Sequence, residues 1–171
     1  NAISYDSGAA TWVWDLDEVR GHYFSNNSNE RIRTQLQELE PAVRELLELG
    51  SCIGLEFDLS TLAGALNKPE PELARLLRIA IRHGLLGLTS NRYRFSHPRM
   101  AGQIYAEIDE SIKSQHHFAI GEYLVANKRA EGSTLITIAD HFNAGADLCD
   151  IDPARQRDIA HYNLLAGRES L

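Results

Sequence analysis

The chain has 171 residues, 43% of them apolar and 8% aromatic, with a formal charge of −7. That length supports one domain with a full core or two small ones, and no apolar run approaches the roughly 18 residues of a membrane span. Residues 1–27 carry four acidic side chains against one basic, residues 28–96 nine of each, and residues 97–171 eleven against seven, so no segment has the basic excess that favours nucleic acid.

Cys52 and Cys149 are the only cysteines. Two cysteines give no disulfide framework, which points to a reducing compartment and a cytoplasmic setting. Cys52 lies in an apolar helical run and reads as a small buried hydrophobe. The first residue is Asn1 and the only methionine is Met100, so the expectation is a piece of a longer protein.

In chain order, "TWVW" (11–14) reads as a short strand with Trp12 and Trp14 on one face. Asp15 can cap a short helix from Leu16, and "FSNNSNE" (24–30) reads as a linker. From Ser28 the period becomes helical, with Ile32, Leu36 and Leu39 recurring. Pro41 suits the first turn of a second helix, whose apolar side is Val43, Leu46, Leu47 and Ile53. Gly54 ends it, and "LEFDL" reads as a brief extended connector. Asp58 or Ser60 caps "TLAGALN". A further helix over 71–83 starts at Pro71, with a stripe of Leu73, Leu76, Leu77, Ala80 and Ile81. Gly84 stands where a glycine cap belongs.

"LLGLT" (85–89) and "RYRFS" (92–96) flank Ser90-Asn91, a hairpin signal. Tyr93 and Phe95 point one way, Arg92 and Arg94 the other. Three helices and a hairpin make a winged-helix pattern, with 71–83 in the recognition-helix position. After His97 all reads as helix: 98–109, 111–126, 133–144 and 153–167, the last opened by Asp152-Pro153. Short loops between helices of this length suggest antiparallel hairpins. The fold class is therefore mainly α: a winged-helix domain over 28–96, then helical hairpins over 97–171. Residues 1–27 form a linker or the end of a preceding module.

The chain has no GxxxxGK[ST] phosphate loop, HExxH, CxxC or GxSxG. His116 and His117 are adjacent, so on a helix they point about 100 degrees apart and rarely hold one ion. His141 and His161 are expected at the surface or in packing roles, and Asp109-Glu110 as a solvated helix terminus. With no nucleophile–base pair at readable spacing, no catalytic residue and no metal site are assigned. Arg75, Arg78 and Arg82 form one basic stripe on the helix 71–83. It is either a contact for phosphate or another acidic surface, or a solvated face in which Glu72 pairs with Arg75.

"WVWDLDEV", "LQELEPAVRELLELGSCIGLEFDLSTLAGAL", "YRFSHPRMAGQIYAEI", "IADHFNAGADL" and "ARQRDIAHYNLLAGRES" together resemble a segment of large multidomain signalling kinases. In those proteins an AAA-type ATPase module of the STAND class lies between a serine/threonine-kinase-like domain and sensor and histidine-kinase domains. The likeness covers about residues 11–171. It implies the winged-helix module and the first helices of a tetratricopeptide-like array, with the nucleotide-binding core upstream and ATP or ADP with magnesium bound there. This stretch would be regulatory, holding no cofactor and contacting the nucleotide-binding core and, through the array, protein partners.

By analogy with a Met-His-Asp motif of related immune receptors, the resemblance makes His97 a phosphate sensor, with Arg99 and Arg94 adding charge. The family pattern has Asp after this histidine, and Pro98 stands there instead. Proline fixes the first helical turn and drives His97 toward extended backbone. The other reading of His97 is a helix cap at the wing-to-helix joint. A winged-helix DNA-binding regulator and a plain protein-binding scaffold stand as alternatives.

Overall fold

The computed structural model describes residues 3–6, 11–14, 27–127, 133–146 and 153–169. The chain divides into two compact units, residues 1–39 and 40–171. In the first, β1 (Ile3–Asp6) and β2 (Thr11–Trp14) pair antiparallel, with Ile3 opposite Trp14 and Tyr5 opposite Trp12. The helix α1 (Asn27–Glu38) follows, so the second half of the expected 24–30 linker is already helical. The expected helix after Asp15 lies outside the described residues.

The second unit is mainly helical with one small antiparallel sheet. Its central helix is α2 (Pro41–Ile53), opened by Pro41 and closed at Gly54, whose φ of 142° suits glycine. Val43, Leu46, Leu47 and Gly50 make one buried face, and Leu49 and Cys52 widen it. That breadth lets α2 pack on α4 and β3 and also on α5 and α6, described below. Periodicity had suggested a single apolar side. Each fully buried leucine contributes about 1.5–3 kcal/mol, so this helix is the main anchor of the unit.

"LEFDL" is not a free connector. Its centre is β3 (Glu56–Asp58), which pairs with β5 (Arg92–Phe95), itself paired with β4 (Leu86–Thr89), giving the order β3-β5-β4. Phe57 stacks on Tyr93 at 5.8 Å between ring centroids and meets Phe95 edge-on at 5.6 Å. Ser90 and Asn91 turn the hairpin with φ of 48° and 72°, the left-handed pair of a type I′ turn. Tyr93 and Phe95 are buried and Arg92 and Arg94 exposed, as alternation requires.

The helix α3 (Leu59–Leu66) is capped by Asp58, whose carboxylate accepts from the Thr61 amide at 2.8 Å and the Thr61 hydroxyl at 2.9 Å. The helix α4 (Glu70–Arg82) buries Leu73, Leu76, Leu77 and Ala80. It ends in a Schellman turn: the Leu85 amide donates to the Ala80 carbonyl and the Gly84 amide to that of Ile81, with Gly84 at φ 70°.

Four helices follow: α5 (Pro98–Glu107), α6 (Glu110–Asn127), α7 (Ser133–Ala146) and α8 (Pro153–Glu169). The start signal at Asp152 lies outside the described residues. The helix α5 rests chiefly on α2 and β5. The helices α6, α7 and α8 pack in sequence, each on the next. On α6 and α7, Ser114 meets Gly145 while Gly121 meets Phe142, so the two run antiparallel. Between α7 and α8, the Asn143 and Asn163 side chains exchange amide hydrogen bonds at 2.9 Å, and Leu135 and Ala139 cluster with Ala166. No helix of the described residues is long and apolar enough to cross a membrane.

Candidate functional site

His97 occupies the joint between β5 and α5. Its backbone is extended, φ −145° and ψ 137°, as a following proline demands. Its Nδ1 accepts the Arg99 amide proton at 3.2 Å, so the ring itself caps the helix that Pro98 begins. A neutral imidazole that accepts at Nδ1 carries its proton on Nε2. The exposed ring therefore keeps one donor for something else while capping.

The charges expected beside it are separated by their partners. The Arg94 guanidinium lies 3.2 Å from the Glu56 carboxylate, and Arg92 lies 3.7 Å from the same group while donating to the Glu56 carbonyl at 3.3 Å. These pairs are half exposed and hold β5 on β3 with little net stabilisation. Arg99 is exposed in the first turn of α5, joined to His97 through its backbone amide.

Arg75, Arg78 and Arg82 are all exposed on α4, opposite the leucine stripe. The Glu72–Arg75 pair allowed by spacing is not formed among the described ion pairs. Arg78 acts on Tyr93, lowering its phenol against the larger upward push of burial. The stripe and the β4–β5 hairpin are thus neighbours.

One polar constellation escaped the sequence reading. His117 and His141 are both buried, at 8% and 6% exposure, and their Nδ1 atoms are 2.9 Å apart. The other nitrogen of His117 lies 3.0 Å from the Tyr105 hydroxyl. His141 was expected at the surface or in packing; it is interior because it shares the buried stripe of α7 with Ile138, Phe142 and Gly145. The available signal was a histidine on the inward stripe of each of two helices. Burial pulls the His117 imidazole below its ordinary value, with His116 and Lys113 adding to the effect. Burial and then His117 pull His141 down to about 4. His116 is half-buried, and its Nε2 has no hydrogen-bond partner among the described residues. His161 is exposed, and Asp109 caps α6 by accepting the Ser111 amide at 2.9 Å. No three His, Cys, Asp or Glu side chains cluster as metal ligands among the described residues. A crevice of about 390 Å³ between α6, α7 and α8 is lined by Phe142, Tyr162, Glu122 and Asp158 among others, away from His97 in the chain.

The scaffold these observations define is a mainly helical unit with a small antiparallel sheet. Over 87 residues, 51% of the chain, it is 27% identical to the hybrid signal transduction histidine kinase G of Dictyostelium discoideum, of which the match spans 2%. That similarity relates the chain to signalling kinases. No protein-family model and no solved structure matches it.

Proposed function

We propose that this chain is a regulatory, non-catalytic segment of a STAND-type ATPase module in a cytoplasmic signalling kinase. It relays the nucleotide state of an upstream core to a helical partner-binding array. The observation that carries this reading is the similarity to a hybrid signal transduction histidine kinase. The element order gives it a mechanism. Helix–strand–helix–helix–strand–strand over Pro41–Phe95, with sheet order β3-β5-β4, supports a winged helix. The consecutive antiparallel packing of α6, α7 and α8 supports the start of a tetratricopeptide-like array.

On this reading His97 senses ADP phosphate at the hinge between the two. Capping through Nδ1 takes over the orienting part that an Asp at position 98 would play. The Nε2–H of the neutral, capping ring is left to donate to a phosphate oxygen. Arg99 and Arg94 add positive charge, and magnesium with the nucleotide belongs to the upstream core.

The test separates sensing from capping. His97→Ser keeps an N-cap but removes the imidazole; His97→Ala removes both. In the full-length kinase, both variants should lose ADP retention and raise basal autophosphorylation. If only His97→Ala changes them, His97 is a cap and the sensing role falls.

A second reading, duplex-DNA binding through α4, is favoured by the exposed Arg75, Arg78 and Arg82. It predicts a complex at low salt that weakens steeply as salt rises. Absence of a gel shift at 50 mM salt, on the order used for such contacts, removes it.

A further inference from the structure

His117 is the midpoint of a hydrogen-bonded chain across three helices, from the half-buried Tyr105 on α5 through the buried His117 on α6 to the buried His141 on α7. The rings of His117 and His141 are tilted at 39° with centroids 5.1 Å apart. One N–H and one lone pair make the Nδ1–Nδ1 bond, so at least one of the two rings must stay neutral at that nitrogen. A first proton makes one ring a buried cation. A second proton sets N–H against N–H and breaks the bond.

The groups around the chain offer no relief among the described residues. From α6 come Lys113 and His116, both of which disfavour charge on His117. Among the described residues, His117 alone acts on His141 besides burial. From α5 comes the neutral Tyr105 hydroxyl. From α2 comes the Cys52 thiol, near Tyr105 and Lys113. The nearby carboxylates are engaged elsewhere: Glu110 holds Lys113, Glu45 holds Lys68 at 2.9 Å and acts on His116, and Glu48 acts on Cys52. On α7, Asp140 is exposed.

We propose that the Tyr105–His117–His141 chain is a proton-released latch that fastens α7, and α8 packed on it, to the helices α5 and α6. When the pair is neutral the latch is closed. Acidification loads a site that has no counter-charge among the described residues, and α7 is released from α6.

The sign follows from linkage. The folded-state values lie below the ordinary 6.5, so the latch contributes fully above 6.5 and is lost as pH falls through the window below it. With His141 at about 4, its proton alone favours opening about 30-fold more at pH 5 than at pH 7.5.

The test uses the intact 171-residue chain. Imidazole resonances are titrated, and amide exchange is followed along α7, corrected for intrinsic rates. Both His117 and His141 should titrate below 6.5, with exchange over Ile138–Phe142 rising on the order of 30-fold toward pH 5 while α2 stays protected. His141→Asn places a non-titrating amide near the Nδ1 position and should remove most of that acid response. Both imidazoles titrating at or above 6.5 would overturn the latch, as would an unchanged acid response in His141→Asn. So would a rise in thermal midpoint on adding equimolar zinc, which would make the pair a metal site. Should His141→Asn not fold, the titration and exchange of the native chain decide.

Discussion

Ser114 and Gly145 bring α6 and α7 into backbone contact. The Ser114 hydroxyl donates to the Gly145 carbonyl at 2.6 Å, buried. A Cβ on Gly145 would stand 2.9 Å from the Phe118 backbone nitrogen and 3.0 Å from the Ser114 carbonyl oxygen. Neither neighbour can rotate away, because both are main chain. Gly145→Ala should therefore push the helices apart and cost about 1–3 kcal/mol, read as a lower urea midpoint. Ser114→Ala removes the donor and leaves the carbonyl short of a partner, at about 1–2 kcal/mol.

Gly64 does the same for α3 and α6, but against a side chain. A Cβ there would overlap the Tyr123 ring. Gly64→Ala should be destabilising in the native background and much less so in Tyr123→Ala. The double-mutant cycle should give a coupling of about 1 kcal/mol or more. Additive losses would mean that the ring simply swings clear.

His97 supplies a graded series. The cap is exposed, so its loss in His97→Ala should cost about 0.5–1 kcal/mol. His97→Ser and His97→Asp should recover most of that, and Asp also suits the positive end of the helix. Chemical denaturation of the three variants checks the order. If His97→Ala is as stable as the native chain, the 3.2 Å bond to the Arg99 amide contributes nothing in solution.

How much of this was legible beforehand depended on range. The helix α4 was readable because Pro71, the leucine stripe and Gly84 are all local, and its bounds shifted by a single residue. The Ser90-Asn91 turn was readable because a two-residue loop demands left-handed backbone, which Asn accepts. The helix α6 was placed well, but its buried side was not foreseen. That side is Ser114, His117 and Gly121 beside Ile120 and Leu124, too small and polar to make an apolar stripe. Its meaning lies in Gly145, Phe142 and His141, more than twenty residues away. The pairing of β3 with β5 was hidden for the same reason: a three-residue strand has no periodicity, and its partner lies 36 positions on.

His116 tests the cost of an unsatisfied buried group. Its Nε2 is buried without a partner among the described residues, and burial lowers its imidazole, opposed by Glu45. His116→Leu removes that atom while keeping comparable bulk, so it should be neutral or stabilising at neutral pH. Because the folded-state value lies below the ordinary 6.5, the native histidine also penalises folding as pH falls below that value. The stability gap between His116→Leu and the native chain should widen toward pH 5. A clear loss of stability at pH 7.5 would mean the ring's packing outweighs its polar penalty.

Cys52 is free and 6% exposed. Desolvation pushes its thiol up to about 12, with Lys113 pulling the other way and losing. The cause is geometric: the side chain lies on the widened buried face of α2. Only the thiolate attacks disulfide reagents. Against an ordinary value of 9.0, the thiolate population at pH 8 is about a thousandfold lower in the folded chain. In a Cys149→Ser background, Cys52 should resist an aromatic disulfide reagent under native conditions and react fully in urea. The native rate should track global unfolding, falling as stability rises and increasing in Gly145→Ala by the same factor as the unfolding equilibrium. A native rate insensitive to Gly145→Ala would instead mean that a local opening of α2 exposes the thiol, and that this helix is not the rigid centre its broad buried face implies.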